Sequence, residues 1–443
     1  MTASRRPRAR SALTTVIVLL ACAFAAILTV AGPGAVAISR AAQCDSTSKG
    51  FVPLIDLGTG TYIGFEGGLY PGGGNVPPAA HLAAGIDEAH AIEPLDSLGV
   101  PDPANGWIVL LSIGMCNTSQ EYASFISVAS GYAGRNPRVA FLNGAQGGQT
   151  AAVIANPNAQ FWNVIDQRLA QQGFTAAQVQ AVWFKEANAS PSQAFPAHAD
   201  TLRNQFLSAV RIIHSRYPNT RLCHFSSRIY AGYASTALNP EPYAYESGFA
   251  AKWLIESQIA GNDSLNFDPD SGAVAAPWLG WGPYLWADGL TPRSDGLTWL
   301  CSDFNDDGTH PSASGRSKVA NLLLDFYTTD TTATPWFLAS PSGTESSPPL
   351  ADGFIVYPAR PSPFAERTTL FFDLPEASPV RVDVVAPSGR RIKTLIEATL
   401  RPGRWDYSWD GTDSDGLRVG SGAYFLRVRG GDRVRSQRVT LLR

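Results

Sequence analysis

Short apolar stretches alternate with longer stretches of helical periodicity between Asn105 and Tyr230. An apolar run of about four to eight residues bounded by turn residues is typical of a strand buried on both faces. The predicted strands are Trp107–Ile113, Arg138–Leu142, Val179–Phe184 and Arg221–Phe225, and the predicted helices are Ser119–Tyr132, Asn158–Gln172 and Ala197–Tyr217. This alternation predicts a three-layer α/β fold in which helices flank a parallel sheet.

The α/β pattern ends in a helix and is followed by a change of composition. Apolar residues repeat at helical spacing within the predicted helix Ser314–Tyr327. Residues 332–352 are then rich in Ser, Thr, Pro and Gly, which is the composition of a linker. We therefore predict an α/β domain over residues 38–331 and a linker over residues 332–352.

Residues 353–443 show short strand patterns separated by turn signals such as Pro387-Ser388-Gly389 and Asp410-Gly411. The predicted strands are Thr368–Leu374, Val380–Val385, Arg391–Ile396, Arg404–Trp409, Ala423–Arg429 and Val434–Leu442. Such spacing predicts a small all-β sandwich. The segments Ser388-Gly389-Arg390, Trp409-Asp410-Gly411 and Ser421-Gly422-Ala423-Tyr424-Phe425 resemble those of FlgD-type Ig-like domains. That resemblance implies an appended module that associates with the cell surface and carries no chemistry.

The first residues have the pattern of a secretory signal peptide. An arginine-rich start is followed by an uncharged, mostly apolar stretch from Ala12 to Gly32 and by the small-residue site Ala35-Val36-Ala37. We predict cleavage after Ala37, so residues 1–37 are the signal peptide and the protein is secreted or held at the cell surface. Because the apolar stretch is near the length that spans a bilayer, an uncleaved membrane anchor is the alternative.

The charge of the chain is unevenly distributed. Residues 38–352 contain 15 basic and 27 acidic residues, whereas residues 353–443 contain 15 basic and 10 acidic residues. An acidic domain followed by a basic tail lacks the clustered positive charge of a nucleic-acid-binding protein, so we expect no nucleic-acid partner.

Four cysteines remain after the predicted cleavage: Cys44, Cys116, Cys223 and Cys301. An oxidising compartment allows them to pair in three ways, and the sequence does not choose among these. The pairing decides whether Cys116 is available, since a cysteine in a disulfide is not a nucleophile.

Cys116 follows the predicted strand that ends in Ile113 and precedes a helix, which places its side chain at the carboxyl end of the sheet. The partial positive charge of a helix N-terminus favours the thiolate, the form that attacks a carbonyl. The alternative is that Cys116 is a small buried hydrophobic residue.

Two further loops follow predicted strands. The turn Asn143-Gly144-Ala145-Gln146-Gly147-Gly148 brings backbone N–H groups close to a ligand, and Asn188 offers a side-chain amide at the end of the next strand. Either group suits an oxyanion hole. Each also has a purely structural interpretation, as a tight loop and as a turn cap.

Asp307 precedes His310 by three residues, just before the last helix of the α/β domain. A carboxylate orients an imidazole and stabilises its charged form, so the pair has the composition of a base and its orienting acid. The run Asp303–Gly308 also resembles the start of a calcium loop. Its twelfth position is Ser314, where such a loop needs a glutamate, so we predict no metal site and no cofactor.

The order nucleophile, Gly, Asn and Asp-x-x-His along residues 105–327 resembles that of the SGNH/GDSL hydrolases. The resemblance implies a catalytic set of Cys116, Asp307 and His310, and an oxyanion hole of Cys116, Gly148 and Asn188. Two blocks depart from the family: Gly-Met-Cys-Asn replaces Gly-Asp-Ser, and Lys-Glu-Ala-Asn replaces Gly-x-Asn-Asp. The first of these puts a cysteine in the place of the nucleophilic serine.

We therefore expect a secreted ester hydrolase whose substrate is an ester, in particular an acylated carbohydrate. The alternative is an inactive descendant that binds glycans or acts at the surface. Aromatic residues before the Asp-His pair either stack on sugars or pack in the core; they are Trp278, Trp281, Tyr284, Trp286 and Trp299.

Overall fold

The computed structural model describes residues 41–339 and 354–442, apart from Pro358, Arg360 and Ser388. The predicted signal peptide and most of the predicted linker lie outside the described residues. Among the described residues, no helix combines the length and the apolar character needed to cross a bilayer.

The α/β part of the chain holds a small hairpin, a sheet of five parallel strands and nine helices among the described residues. The hairpin is β1 (Thr61–Tyr62) and β2 (Phe65–Glu66), and the sheet strands are β3 (Ile108–Gly114), β4 (Val139–Asn143), β5 (Val179–Lys185), β6 (Leu222–Phe225) and β7 (Trp278–Trp281). The helices are α1 (Leu54–Leu57), α2 (Ala79–His90), α3 (Cys116–Ser130), α4 (Ala151–Ile154), α5 (Gln160–Gln171), α6 (Ala197–Arg216), α7 (Tyr243–Ile259), α8 (Ala313–Thr329) and α9 (Thr334–Phe337).

The strand order is β4-β3-β5-β6-β7, and all neighbouring pairs are parallel. The chain moves outward from β3 to β4 and then returns to add β5, β6 and β7 on the other side. Because crossovers between parallel strands are right-handed, this reversal puts α3 on one face of the sheet and α5, α6 and α7 on the other. Helix α8 packs on α3, and α7 packs on α6. The reversal makes the gap between the carboxyl ends of β3 and β5 the position at which such folds bind ligands.

The strands are hydrophobic because helices cover both of their faces. Every residue of β3 and of β5 is buried, polar side chains included. The four strands expected from the sequence are present, and β7 joins them as a fifth, four-residue strand. Its sequence, Trp-Leu-Gly-Trp, gives neither alternation nor a long apolar run.

Helix α3 begins at Cys116, three residues before the predicted start at Ser119. The packed α/β part also continues past residue 331, the predicted end of its domain. Residues Thr334–Phe337 form α9, and Trp336 and Phe337 are buried in the main core.

The carboxyl-terminal part of the described chain is antiparallel. Its strands are β8 (Ile355–Val356), β9 (Thr368–Leu374), β10 (Ser378–Val385), β11 (Arg391–Leu400), β12 (Gly403–Trp409), β13 (Gly422–Gly430) and β14 (Arg433–Leu441). They form one sheet of order β11-β10-β13-β14 and another of order β12-β9-β8. Alternate residues of these strands, such as Leu370, Phe372 and Leu374, are buried in a separate core. Each of the six strands predicted here is present, within a few residues of its predicted bounds.

Candidate functional site

The turn between β3 and α3 exposes the thiol of Cys116. Gly114 ends the strand, and a Cβ at this position would collide with the carbonyl oxygen of Lys185 and the side chain of Thr118. Only glycine therefore allows the close approach of β3, β5 and α3. Cys116 then occupies the first helical position, partly exposed, where the N–H groups of the first turn have no helical partner.

Cys116 is a free thiol. The disulfide joins Cys44 to Cys301, and Cys223 is a second free thiol, fully buried in β6. The three complete pairings open to the sequence would each have bonded Cys116; among the described cysteines only Cys44 and Cys301 are bonded, which leaves Cys116 available.

His310 and Asp307 lie in line with the thiol. Sγ of Cys116 is 3.0 Å from Nε2 of His310, and Nδ1 of His310 is 2.5 Å from Oδ2 of Asp307. The other carboxylate oxygen of Asp307 accepts the backbone N–H groups of Thr309 and His310, each at 3.0 Å. The carboxylate thus fixes both the loop and the ring, as a short acid-histidine spacing allows.

Gly308 lets this loop lie against the chain that follows β6. It has a φ of +63°, and a Cβ there would collide with the carbonyl oxygen of Tyr233. Asn117 also holds the loop, because its side-chain amide donates to the carbonyl oxygen of Thr309 at 2.9 Å. Sequence reasoning did not select Asn117. Its one signal was its position directly after the candidate nucleophile.

The pair Cys116–His310 favours the charged forms of both groups. Burial acts to raise the pKa of Cys116, but the hydrogen bond and charge of His310, the charge of Arg228 and the N–H of Asn117 outweigh it and lower that pKa. The hydrogen bond to Cys116, and then that to Asp307, raise the pKa of His310 to about 9 against the effect of burial. The arrangement therefore favours a thiolate beside an imidazolium over the neutral pair.

Backbone N–H groups next to the thiol are free to bind an oxyanion. Among the described residues, no protein acceptor bonds the N–H of Cys116, Gly147 or Gly148. A Cβ placed on Gly147 would lie 3.8 Å from the Cβ of Cys116, whereas one placed on Gly148 would meet nothing within 4 Å. Gly147, the neighbour of the glycine chosen from the sequence, therefore lies next to the side chain of Cys116.

The side-chain amide of Asn188 bonds two helices. Its Oδ1 accepts the N–H of Ala152 at 3.0 Å, and its Nδ2 donates to Oε1 of Gln205 at 2.6 Å. These bonds link the end of β5 to α4 and α6, and the role of Asn188 as an oxyanion donor stays a prediction.

Charged side chains lie buried where β3 and β5 end. Lys185 and Glu121 form an ion pair with both side chains fully buried. Glu186 is 3% exposed, and its Oε2 has no partner within the described residues. Burial raises the pKa of the Glu186 carboxyl well above its usual range, while the charges of Arg228 and Lys185 lower it and that of Cys116 raises it. Sequence reasoning treated Lys185 and Glu186 only as departures from a family motif.

The aromatic residues before the Asp-His pair are core residues. Trp278, Trp281, Tyr284, Trp286 and Trp299 are between 0% and 5% exposed. Their N–H groups bond backbone and side-chain oxygens of the core, as in the bond from Trp299 to the carbonyl of Leu285. The packing interpretation is therefore the one that the structure supports.

The loop resembling a calcium site is closed by protein groups. The carboxylate of Asp303 bonds Ser314 and Lys318. In the described part of the chain, no group of three His, Cys, Asp or Glu side chains is placed to hold a metal ion.

Three comparisons with solved structures give low overall similarity. FlgD of P. aeruginosa is 23% identical over 17% of this chain and 61% of its own, less than two thirds of its length, with a TM-score of 0.15. A protein of Arabidopsis thaliana is 10% identical over 47% of this chain and 67% of its own, with a TM-score of 0.26. A protein of Bacillus subtilis is 12% identical over 51% of this chain and 57% of its own, also with a TM-score of 0.26.

No curated protein matches the chain. A family model described as the FlgD Ig-like domain matches residues 364–433, which lie within the two antiparallel sheets. The chain therefore carries an FlgD Ig-like domain at its carboxyl-terminal end, after a part built on a five-stranded parallel sheet.

Proposed function

We propose that the protein is an ester hydrolase of the SGNH/GDSL type, with Cys116 as its nucleophile. The observation that carries the proposal is the line of atoms from Sγ of Cys116 to Nε2 of His310 at 3.0 Å, and from Nδ1 of His310 to Asp307 at 2.5 Å. A nucleophile, a base and an orienting acid in hydrogen-bonded sequence form the common core of acyl-transfer sites.

In the first half of the proposed reaction, the thiolate of Cys116 attacks the carbonyl carbon of the ester. The carbonyl electron pair moves onto oxygen, and we propose that the N–H groups of Cys116 and Gly147 bind the negative charge. When the intermediate collapses, the C–O bond breaks and the imidazolium of His310 gives its proton to the departing alkoxide. The products of this half are an alcohol and a thioester on Cys116.

In the second half, water hydrolyses the thioester. Neutral His310 removes a proton from the attacking water, and the same N–H groups bind the second oxyanion. Collapse releases the carboxylic acid and returns the thiolate to Cys116. The product acid then loses its proton to bulk water, and Cys116 and His310 are again a thiolate–imidazolium pair.

We further propose that the reaction takes place outside the cytoplasm, on acyl groups carried by carbohydrate. The signal-like residues 1–37 and the disulfide Cys44–Cys301 favour an oxidising, extracytoplasmic compartment. The FlgD Ig-like domain then holds the enzyme at the cell surface. Fractionating cells that express the full chain, with and without residues 353–443, tests this placement.

The test of activity compares three forms of the secreted protein on p-nitrophenyl acetate and on acetylated sugars. Wild type and Cys223→Ala are expected to turn over at similar rates, because Cys223 is buried in the sheet. Cys116→Ala is expected to lose turnover. Binding of acetylated sugar by wild type without turnover would overturn the proposal and favour a carbohydrate-binding protein that keeps a hydrolase fold.

A further inference from the structure

A buried arginine lies on the segment that follows β6, at the same edge of the sheet as Cys116. Arg228 follows β6 and is 3% exposed. The N–H of Ser226 donates to the carbonyl of Phe184 at 2.9 Å, which keeps the chain after β6 next to the end of β5. β5 in turn pairs with β3 up to Gly114, and the segment after β6 also contacts the Asp307–His310 loop, where Gly308 meets the carbonyl oxygen of Tyr233.

The guanidinium of Arg228 has little bonding to the protein. Its Nε donates to Oδ1 of Asn239 at 3.3 Å, and Nδ2 of Asn239 donates to the carbonyl of Asn188 at 3.1 Å. Within the described ranges, no protein acceptor bonds Nη1 or Nη2, and no carboxylate lies within ion-pair distance of Arg228. The Nη1 and Nη2 donors, which in other proteins bind both oxygens of a carboxylate, therefore have no bonded acceptor among the described residues.

The nearby acids form no ion pair with this guanidinium. Glu121 is paired with Lys185, and among the described residues Oε2 of Glu186 accepts no hydrogen bond. The charge of Arg228 nevertheless acts at the site, since it lowers the pKa of Cys116. A buried cation without a partner carboxylate is costly to a fold, so its presence next to a nucleophile points to an anion that arrives with the ligand.

We propose that Arg228 binds a carboxylate of the substrate, so that the preferred esters carry a carboxylate close to the scissile bond. This specificity rests on the proposed function, because it assumes that Cys116 attacks the substrate. The carboxylate belongs either to the acyl group, as in a dicarboxylic monoester, or to the alcohol, as in an acylated sugar acid. Both present the same planar anion to the guanidinium.

Alkylation of Cys116 tests the anion site without requiring turnover. Iodoacetate and iodoacetamide both transfer a carbon to sulfur and release iodide, but only iodoacetate carries a carboxylate. The ratio of their rates at Cys116, divided by the same ratio for free cysteine, measures attraction of the anion. We expect this normalised ratio to exceed one in wild type and to fall at least about tenfold in Arg228→Gln, the loss expected for a hydrogen bond to a charged group.

Two controls separate the site from general charge effects. Arg203→Gln removes an exposed arginine of α6 and is expected to leave the ratio unchanged. Arg228→Lys keeps the charge but loses the planar fork, so an intermediate ratio is expected. A ratio that is equal in wild type and Arg228→Gln would overturn the anion site and leave the proposed nucleophile intact. Failure of both reagents to alkylate Cys116 would instead overturn the proposed function.

Ester pairs then identify the source of the carboxylate. Comparing mono-p-nitrophenyl succinate with p-nitrophenyl butyrate tests a carboxylate on the acyl side. Comparing acetylated galacturonic acid with acetylated galactose tests a carboxylate on the alcohol side. In the correct pair, Arg228→Gln is expected to remove the preference for the acidic ester through kcat/KM. An equal loss on acidic and neutral esters in both pairs would show that Arg228 supports only the thiolate, and would overturn the specificity.

Discussion

Replacing Asp307 by asparagine changes one atom of the carboxylate and tests the whole proton path. In wild type, Oδ1 of Asp307 accepts two backbone N–H groups while Oδ2 faces Nδ1 of His310. An asparagine that keeps the two backbone bonds must turn its NH₂ group toward Nδ1. The ring then carries its proton on Nε2, so it can no longer accept the proton of the Cys116 thiol.

The size of the effect follows from the pKa of His310. That pKa is about 9, against about 6.5 for an ordinary histidine, which corresponds to roughly 3 kcal/mol in favour of the imidazolium. Cys116 is the largest cause of the rise and Asp307 the second group that contributes to it. Asp307→Asn therefore lowers the pKa of His310 and, through loss of the imidazolium, raises that of Cys116. A thiol of ordinary pKa is only about 3% ionised at neutral pH, so a return of Cys116 to the ordinary pKa would remove about 30-fold of a fully formed thiolate.

Two assays separate thiolate formation from proton transfer. Alkylation of Cys116 by iodoacetamide needs only the thiolate, so at neutral pH we expect it to slow by about tenfold, with its pH midpoint moved to higher pH. Turnover of p-nitrophenyl acetate also needs His310 as the base that activates water in deacylation, so we expect kcat to fall by about 100-fold. An alkylation profile that is the same in Asp307→Asn and wild type would refute this account of the ion pair.

Three further substitutions test other parts of the structure. Gly148→Ala is expected to lower the free energy of unfolding by about 1 kcal/mol, measured with denaturant, because Gly148 has a φ of +75°. Gly147→Ala is expected to keep stability and to slow turnover, since the new Cβ would lie beside Cys116. Equal effects of the two substitutions would contradict the assignment of the oxyanion glycine. Glu186→Gln is expected to raise the melting temperature more at about pH 7 than at about pH 4, because a carboxyl whose pKa is raised in the fold makes the fold less stable as pH rises past its unfolded pKa. A difference independent of pH would count against a raised pKa at Glu186. Cys301→Ser is expected to lower the free energy of unfolding by about 2–5 kcal/mol, and an unchanged midpoint would contradict a stabilising disulfide.

Much of the architecture could be predicted from the sequence because it depends on local patterns. The buried strands β3 to β6 are short apolar runs, and the strands of the tail alternate between turns, so their positions follow from hydrophobicity alone. Strand β7 was not predicted because its aromatic sequence has no strand periodicity. Helix α9 was not predicted because Thr334 and Pro335 have the composition of a linker. The burial of Trp336 and Phe337 depends on contacts with distant parts of the chain.

In the candidate site, too, local patterns could be predicted and contacts between distant segments could not. Cys116, Asp307 and His310 could be proposed from their order and spacing, since each lies at a predictable strand end or helix start. The choice between Gly147 and Gly148 depends on a contact with Cys116 across two strands, which one sequence does not contain. Asn188 follows β5 as expected, but the partners of its amide, Ala152 and Gln205, lie on other elements.

The charges around Cys116 suit a thiol better than a serine. The pKa of Cys116 is lowered, so a thiolate forms there more readily than at an ordinary cysteine and stabilises the imidazolium of His310 before any substrate arrives. A serine hydroxyl stays neutral, so a protonated His310 would keep Asp307 as a negative partner but lose the one at residue 116. The cysteine and the raised pKa of His310 are therefore mutually dependent, and the cysteine belongs to a site whose electrostatics favour a negatively charged sulfur.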